Sequence, residues 1–516
     1  MWAGSALAIL LRYLLFVTGA PAYLEEHLAL TSPITSYLRL KEGLFLLDGG
    51  TSPYAGGSCH HPPLLLLLAF PLRHAPALLH FTVIVAVDVA TALLLRLLAV
   101  KYAAARSAAG KSWLEARMRL PCIGDQKGTS STQKPFTIED VSTSALEDQV
   151  SPAFVGLSYL FNPFVIGSCL AQSLQNIHHF GICGAVCLAA YGRGGMAAAA
   201  AAVTLYVCPF TPIVLLVPLA YLSFLQSQPS TRVPADERKE EQFNYTRSKD
   251  ERLWDSGFVR YLIFFILTVT LLFACLLVAS LAVMDGQAHF LQASFVSVLA
   301  LKDLTPNVGL FWYMFIEVFD RYRDMFLVAF HAHLLFYPIP LHLRMGRHLP
   351  VGPWLHCGAA VALVTIFKPY PTASDFGLML SILLVHAEII QASDKYFAFL
   401  LSGLLFGLSM FPTMTSVWLR RNAGNANFLY NMTLVTNFFS SILLSEWIKS
   451  CMKLRKRQRL EAFCRGITLD IVQQAVEQGS EKRQTQSAPA AESGPRDEAA
   501  TSAEDAKGLR HRRGAA

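Results

Sequence analysis

Charge is scarce in this chain. Asp, Glu, Lys and Arg together make up only 15% of 516 residues, whereas 53% are hydrophobic and the mean hydropathy is +0.40. A soluble globular domain carries roughly 25% charged residues, so a water-exposed fold is excluded. Also missing is any CxxC or Cys/His zinc spacing among the ten cysteines, which removes a zinc module and a disulfide framework. Cys183 and Cys187 share an apolar helical run and read as packing. The net charge of +7 is modest, and no nucleic-acid partner is expected. The first apolar run has no basic end before it, because Arg12 lies in its middle; it reads as an uncleaved span and not as a signal peptide.

What the chain does have is apolar length. Several runs approach the ~20 residues that cross a hydrocarbon core of ~30 Å. The expected fold class is therefore an all-α polytopic membrane protein with about twelve crossings. These fall near 5–22, 76–100, 153–174, 177–191, 196–208, 211–226, 257–284, 325–342, 351–367, 376–391, 396–413 and 427–448. Residues 62–75 are apolar but short, and read as an interfacial or re-entrant helix. Lys449, Lys453, Arg455, Lys456, Arg457 and Arg459 form the strongest basic cluster, which puts the C-terminus in the cytosol. The even count puts the N-terminus there too. Residues 1–464 then form a multi-pass domain with cytosolic loops at 101–151 and 227–256 and non-cytosolic segments at 23–62, 285–324, 368–375 and 414–426. Residues 465–516 read as a cytosolic, largely disordered tail.

On this topology four irregular stretches share the non-cytosolic side: TSPYAGGSCHHPP (51–63), LTPN (304–307), FKPYPTASD (367–375) and RRNAGNANF (420–428). Non-helical backbone at membrane depth needs protein or a water-filled cavity to satisfy it, so together they suggest a roofed cavity. Pro306 and Asn307 turn the chain there, and Phe311, Trp312 and Tyr313 are expected at headgroup level, as a belt or a cavity wall.

Catalytic constellations are weak. Glu25, Glu26, Glu42 and Asp48 in the first non-cytosolic segment lack the DxD spacing that a lipid-linked-sugar transferase uses. The pairs His60/His61, His178/His179 and His331/His333 are poor metal sites; 178 and 179 read as interfacial, and no metal or cofactor is expected. Cys59 is the one clear non-cytosolic cysteine, and as a nucleophile it would need a histidine brought close in space; no protease site is expected. Asp320 and Asp324, flanking Arg321 and Arg323, read as a solvated face. Asp88 sits in mid-span, where a charge is costly enough to mark function or a buried pair, with Arg12 or Arg96 as counter-ion. Asn425 and Asn427 open the last span; one of them explains itself as a helix cap, and the other is the better ligand candidate.

The series EGLFLLDGGTSPYAGG, HPPLLL, YLFNPF, LKDLTPNVGLFWYMFIEVFD, FKPYPTASDFGL and GNANFLYNMTL resembles the phosphatidylinositol-glycan class U (PIG-U) family of GPI transamidase subunits, over roughly residues 20–450. The resemblance implies a multi-pass endoplasmic reticulum protein without its own protease site. It would work beside a separate cysteine-protease subunit that cleaves a precursor's C-terminal signal and joins the chain to the GPI glycolipid. The implied membrane scaffold resembles that of multi-spanning, lipid-dependent (GT-C-like) glycosyltransferases. On this reading Asn425 and Asn427 contact the GPI head, Asn307, Phe311, Trp312 and Tyr313 line the site, and Lys368, Tyr370 and Asp375 shape its rim, Lys368 facing a phosphate. The implied partners are the other transamidase subunits, GPI, the attachment signal and the bilayer. The alternative is an active mannosyltransferase using Asp48 with a distant acid. A transporter would need internal repeats, which the sequence lacks.

Overall fold

The computed structural model describes residues 1–118, 150–228, 256–346, 351–391, 393 and 396–453, all inside one compact unit, Met1–Lys456. Residues 119–149 of the first expected loop, nearly all of the second, and the tail at 465–516 lie outside the described residues. No strand occurs among the described residues. The all-helical expectation holds because chain buried in hydrocarbon has no water to pair with, and a helix pairs its backbone internally.

The helices that carry the argument follow in chain order. They are α1 Trp2–Val17, α2 Tyr37–Asp48, α3 Ala77–Met118, α4 Pro152–Leu160, α5 Pro163–Leu170, α6 Gln175–Ala190, α7 Gly194–Val207, α8 Thr211–Ser227 and α9 Ser256–Val283. Then come α10 Phe311–Glu317, α11 Asp320–Phe336, α12 Gly352–Phe367, α13 Ala373–Val385 and α14 Tyr396–Thr415, with α15 over Ala426–Lys453. The helix α3 runs on past residue 100, where a loop was expected, because KYAAARSAAGKSWLEARM is rich in strong helix formers.

Among the described residues, five helical segments are long and apolar enough to cross a membrane: Ala77–Ser107, Ser256–Val283, Asp320–Gly346, Tyr396–Arg420 and Ala426–Lys453. A sixth is available if α4 and α5, bent by 48°, form one broken span. The bend has a local cause: Pro163 cannot donate a backbone bond and forces Asn162 out of the helix, and the Asn162 side chain accepts from Phe164 N at 3.0 Å to start the next helix. Six other apolar helices are shorter. At ~1.5 Å per residue, the 14-residue α7 covers about 21 Å, less than the ~30 Å core.

Close helix approach depends on small residues. The GGMAAAAAAVTLYV face of α7 buries Ala197, Ala198, Ala201 and Ala202 in the largest core cluster, since alanine lets backbones meet. Between α14 and α15, a Cβ at Gly407 would stand 2.5 Å from Thr436 Oγ1 and 3.0 Å from its backbone nitrogen. The mid-span Asp88 is buried and paired: Arg12 Nη2 lies 3.3 Å from its Oδ2. Arg12, and not Arg96, is the partner, because α1 packs against α3.

Candidate functional site

The four irregular stretches converge in space, and Asp303, just before LTPN, is the residue that gathers three of them. Its carboxylate accepts from Arg39 Nη1 at 2.6 Å and from Thr305 N at 2.9 Å, with His60 Nε2 at 3.6 Å. Its backbone carbonyl accepts from Tyr370 OH at 2.8 Å. Burial alone would raise this carboxyl's pKa; the His60 ring beside it and hydrogen bonds from Thr305 and Arg39 outweigh that and hold it well below the usual carboxylate range. Segment 367–375 is locked in as well: a Cβ on Gly309 would stand 2.6 Å from Pro371 Cδ, so only glycine admits that approach. Arg323 also serves this region, donating to the carbonyls of Leu301 at 2.8 Å and Phe315 at 3.3 Å. It is thus a capping cation and not part of a free solvated face.

Beside this clamp lies an open groove of about 420 Å³, lined by Leu304, Pro306, Trp312, Tyr313, Ile316, Glu317, Trp418, Asn425, Ala426 and Asn427. It gathers Trp312, Tyr313, Asn425 and Asn427 from two segments, with Tyr313 and Asn427 114 residues apart in sequence. Asn425 caps α15, its Oδ1 accepting from Asn427 N at 3.1 Å, and Asn427 Oδ1 accepts from Tyr313 OH. Among the hydrogen bonds of the described residues neither amide NH₂ group has a partner. Tyr430 stacks on Tyr313 at 4.5 Å and donates to Leu310 O at 3.3 Å, which fixes the aromatic wall against α15. Trp418, Glu317 and Ile316 went unnoticed in the sequence. The one available signal was Trp418, an aromatic at the end of a span just before RRNAGNANF.

The other residues singled out lie elsewhere. Phe311 and Trp312 are buried in protein and do not form an outward belt; Trp312 reaches the groove, while Phe311 packs on Phe330 at 5.2 Å behind it. Asn307 is fully buried, accepting from Gly309 N at 2.8 Å and donating to Thr305 O at 3.2 Å. It staples its own turn. Tyr370 is buried on Asp303. Lys368 is not at an open rim: its Nζ sits 2.7 Å from Asp375 Oδ1, both side chains buried. Asp375 also takes Gln175 Nε2 at 2.7 Å and has His179 Nε2 at 3.3 Å, while its Oδ2 accepts from Thr372 N at 2.7 Å in the capping box that starts α13. His178 and His179 are accordingly buried and not interfacial. The ammonium of Lys368 and the carboxylate of Asp375 neutralise each other.

Of the acids weighed for catalysis, Asp48 and Glu25 are paired while Glu26 and Glu42 lie exposed, and the thiol is enclosed. Asp48 Oδ1 accepts from Arg73 Nε at 2.6 Å, and Glu25 lies 3.6 Å from Lys41. Cys59 is buried, and burial pushes its thiol up to about 11, away from the thiolate a nucleophile needs. Among the described residues no three His, Cys, Asp or Glu side chains are grouped to hold a metal ion.

A family model described as GPI transamidase subunit PIG-U matches residues 6–436. The chain belongs to that family. Among similar curated proteins, the human GPI-anchor transamidase component PIGU is 27% identical over 448 residues, covering 86% of this chain and 92% of the human protein. The GPI transamidase component GAB1 homolog of Schizosaccharomyces pombe is 23% identical over 449 residues, 87% and 92% of the two chains. GPI transamidase component GAB1 of Saccharomyces cerevisiae is 24% identical over 417 residues, 80% and 84% of the two. As a PIG-U family member, the chain places both the groove and the Asp303 clamp inside the matched residues.

Proposed function

We propose that this PIG-U family member is a membrane-embedded, non-catalytic subunit of the GPI transamidase complex of the endoplasmic reticulum, and that its groove at Trp312, Tyr313, Asn425 and Asn427 holds the GPI glycolipid head. The observation that carries the reading is the groove's chemistry: aromatic walls for apolar and ring surfaces, and two asparagines with unengaged amide donors for oxygens of phosphate or sugar. Uncharged amides do this without the cost of burying a charge. The non-catalytic assignment is supported by the pairing of Asp303 with Arg39, Asp375 with Lys368 and Asp48 with Arg73, which leaves Glu317 as the one carboxylate lining the groove itself among the described residues. Phe311, Asn307, Tyr370, Lys368 and Asp375 then support the groove from behind and hold no ligand.

The finer topology belongs to the same proposal. Within it, about twelve crossings draw support from the five long spans, the bent pair and shorter apolar helices, cytosolic termini from the basic cluster that starts at Lys449, and the glycosyltransferase-like scaffold from the family resemblance alone, with 1–464 as the membrane domain. The cysteine-protease subunit and the precursor's attachment signal are the partners this role requires.

The test is the double replacement Asn425→Ala with Asn427→Ala in cells lacking the endogenous subunit. Loss of two hydrogen bonds to a charged head, about 1.5–3 kcal/mol each, predicts at least a tenfold fall in GPI attachment with the other subunits still co-purifying. Unchanged attachment removes the asparagines from the site.

A further inference from the structure

A second cavity, of about 270 Å³, opens between α2 and the start of α3, and shares no lining residue with the groove. Its charged lining balances: Lys41 and Arg73 against Glu25 and Asp48, paired at 3.6 Å and 2.6 Å. Such a wall exerts little net pull on an ion, yet presents N–H donors and carboxylate acceptors side by side. Phe45, 77% exposed, adds an open aromatic ring. At the cavity also lies Gln172, 2% exposed and held at a left-handed φ of 51°, whose Oε1 has no hydrogen-bond partner. A buried acceptor without a donor is unfavourable, and a hydroxyl entering the cavity would satisfy it.

We propose that this cavity is a binding site for a neutral, hydroxyl-rich ring, a single sugar unit, held by the paired charges at its edge, by Phe45 on its apolar face and by Gln172 Oε1 accepting from one hydroxyl. The volume lies just under the ~300–1,000 Å³ of pockets for drug-sized ligands, which suits one ring and not a chain of them. The sugar can come from a glycolipid headgroup or from a free glycan. The site has a structural link to the groove: Arg39, on α2 between Tyr37 and Lys41 of the cavity wall, reaches Asp303 beside Leu304 of the groove.

The test uses the purified full-length chain in lipid nanodiscs, with methyl glucoside and a monoglycosyl diacylglycerol as probes, read by saturation-transfer NMR and titration. Saturable binding is expected, weakened about tenfold by Gln172→Leu and by Asp48→Asn, and unaffected by inorganic phosphate. If the leucine variant does not fold, Gln172→Asn, which tolerates the left-handed backbone while withdrawing the carbonyl, is to weaken binding similarly. Binding of the glycolipid alone assigns the headgroup as source; binding of both probes extends the site to free sugars. Absence of saturable binding by either probe, competition by phosphate, or wild-type affinity in the folded variants overturns the proposal. Asn425→Ala with Asn427→Ala should leave glucoside binding intact, which separates this site's fate from that of the groove.

Discussion

Replacing Asp303 with Asn tests whether one carboxylate holds the loops around the groove. The side chain keeps its shape and its acceptor for Thr305, but the amide NH₂ that replaces Oδ2 cannot accept from Arg39, so the charge and the Arg39 hydrogen bond are lost together. A hydrogen bond to a charged group contributes about 1.5–3 kcal/mol, so losing the 2.6 Å contact to Arg39 costs about 1.5 kcal/mol or somewhat more. The Thr305 contacts, weakened together, bring the expected loss to about 2 kcal/mol. Both side chains of the pair are about one-fifth exposed, 23% and 20%, so solvent screening keeps the figure from rising further. The assay is thermal unfolding of the purified protein in a double-mutant cycle with Arg39→Gln. If the clamp is real, the double variant loses about 1 kcal/mol less than the sum of the singles. Additive losses would refute the pairing argument.

Three further outcomes follow from the same geometry. The Asp303 carboxyl is held below its unfolded value of about 3.9, so its contribution is fully present above that pH and is lost as pH falls from there to the depressed folded-state value; the stability gap between wild type and Asp303→Asn should be at its full size above about pH 5 and narrow progressively below about pH 4. Arg12→Met leaves Asp88 buried without a counter-ion and should cost about 3–5 kcal/mol, seen as loss of folded, monodisperse protein, whereas Arg12→Met with Asp88→Leu should recover most of it. Thr372→Ala removes the hydroxyl that accepts from the Asp375 backbone N–H in the capping box and donates to the Asp375 carboxylate at 3.1 Å, and should lower the unfolding free energy by about 1 kcal/mol without changing GPI attachment.

Local chain chemistry settled a good part of this protein. Apolar runs approaching ~20 residues required helices, because in lipid only helices and closed barrels satisfy N–H and C=O groups and barrel strands are short and alternating. The break at Asn162–Pro163, the turn at LTPN and the cap at Asn425 each follow from a few adjacent residues. Two of the groove's four anticipated residues, Trp312 and Tyr313, were legible as an aromatic cluster after a turn, and the asparagines as polar residues at a span's start. What could not be read locally is pairing. Lys368 and Asp375 look like rim charges until α6 brings Gln175 and His179 onto the same carboxylate. Asp303 looks like one more loop acid until Arg39, His60 and Tyr370 close on it. Whether a polar side chain serves a ligand or the fold depends on which distant helix packs against it. That is decided by interhelical packing over hundreds of residues of separation, to which hydropathy and spacing along the chain carry no information.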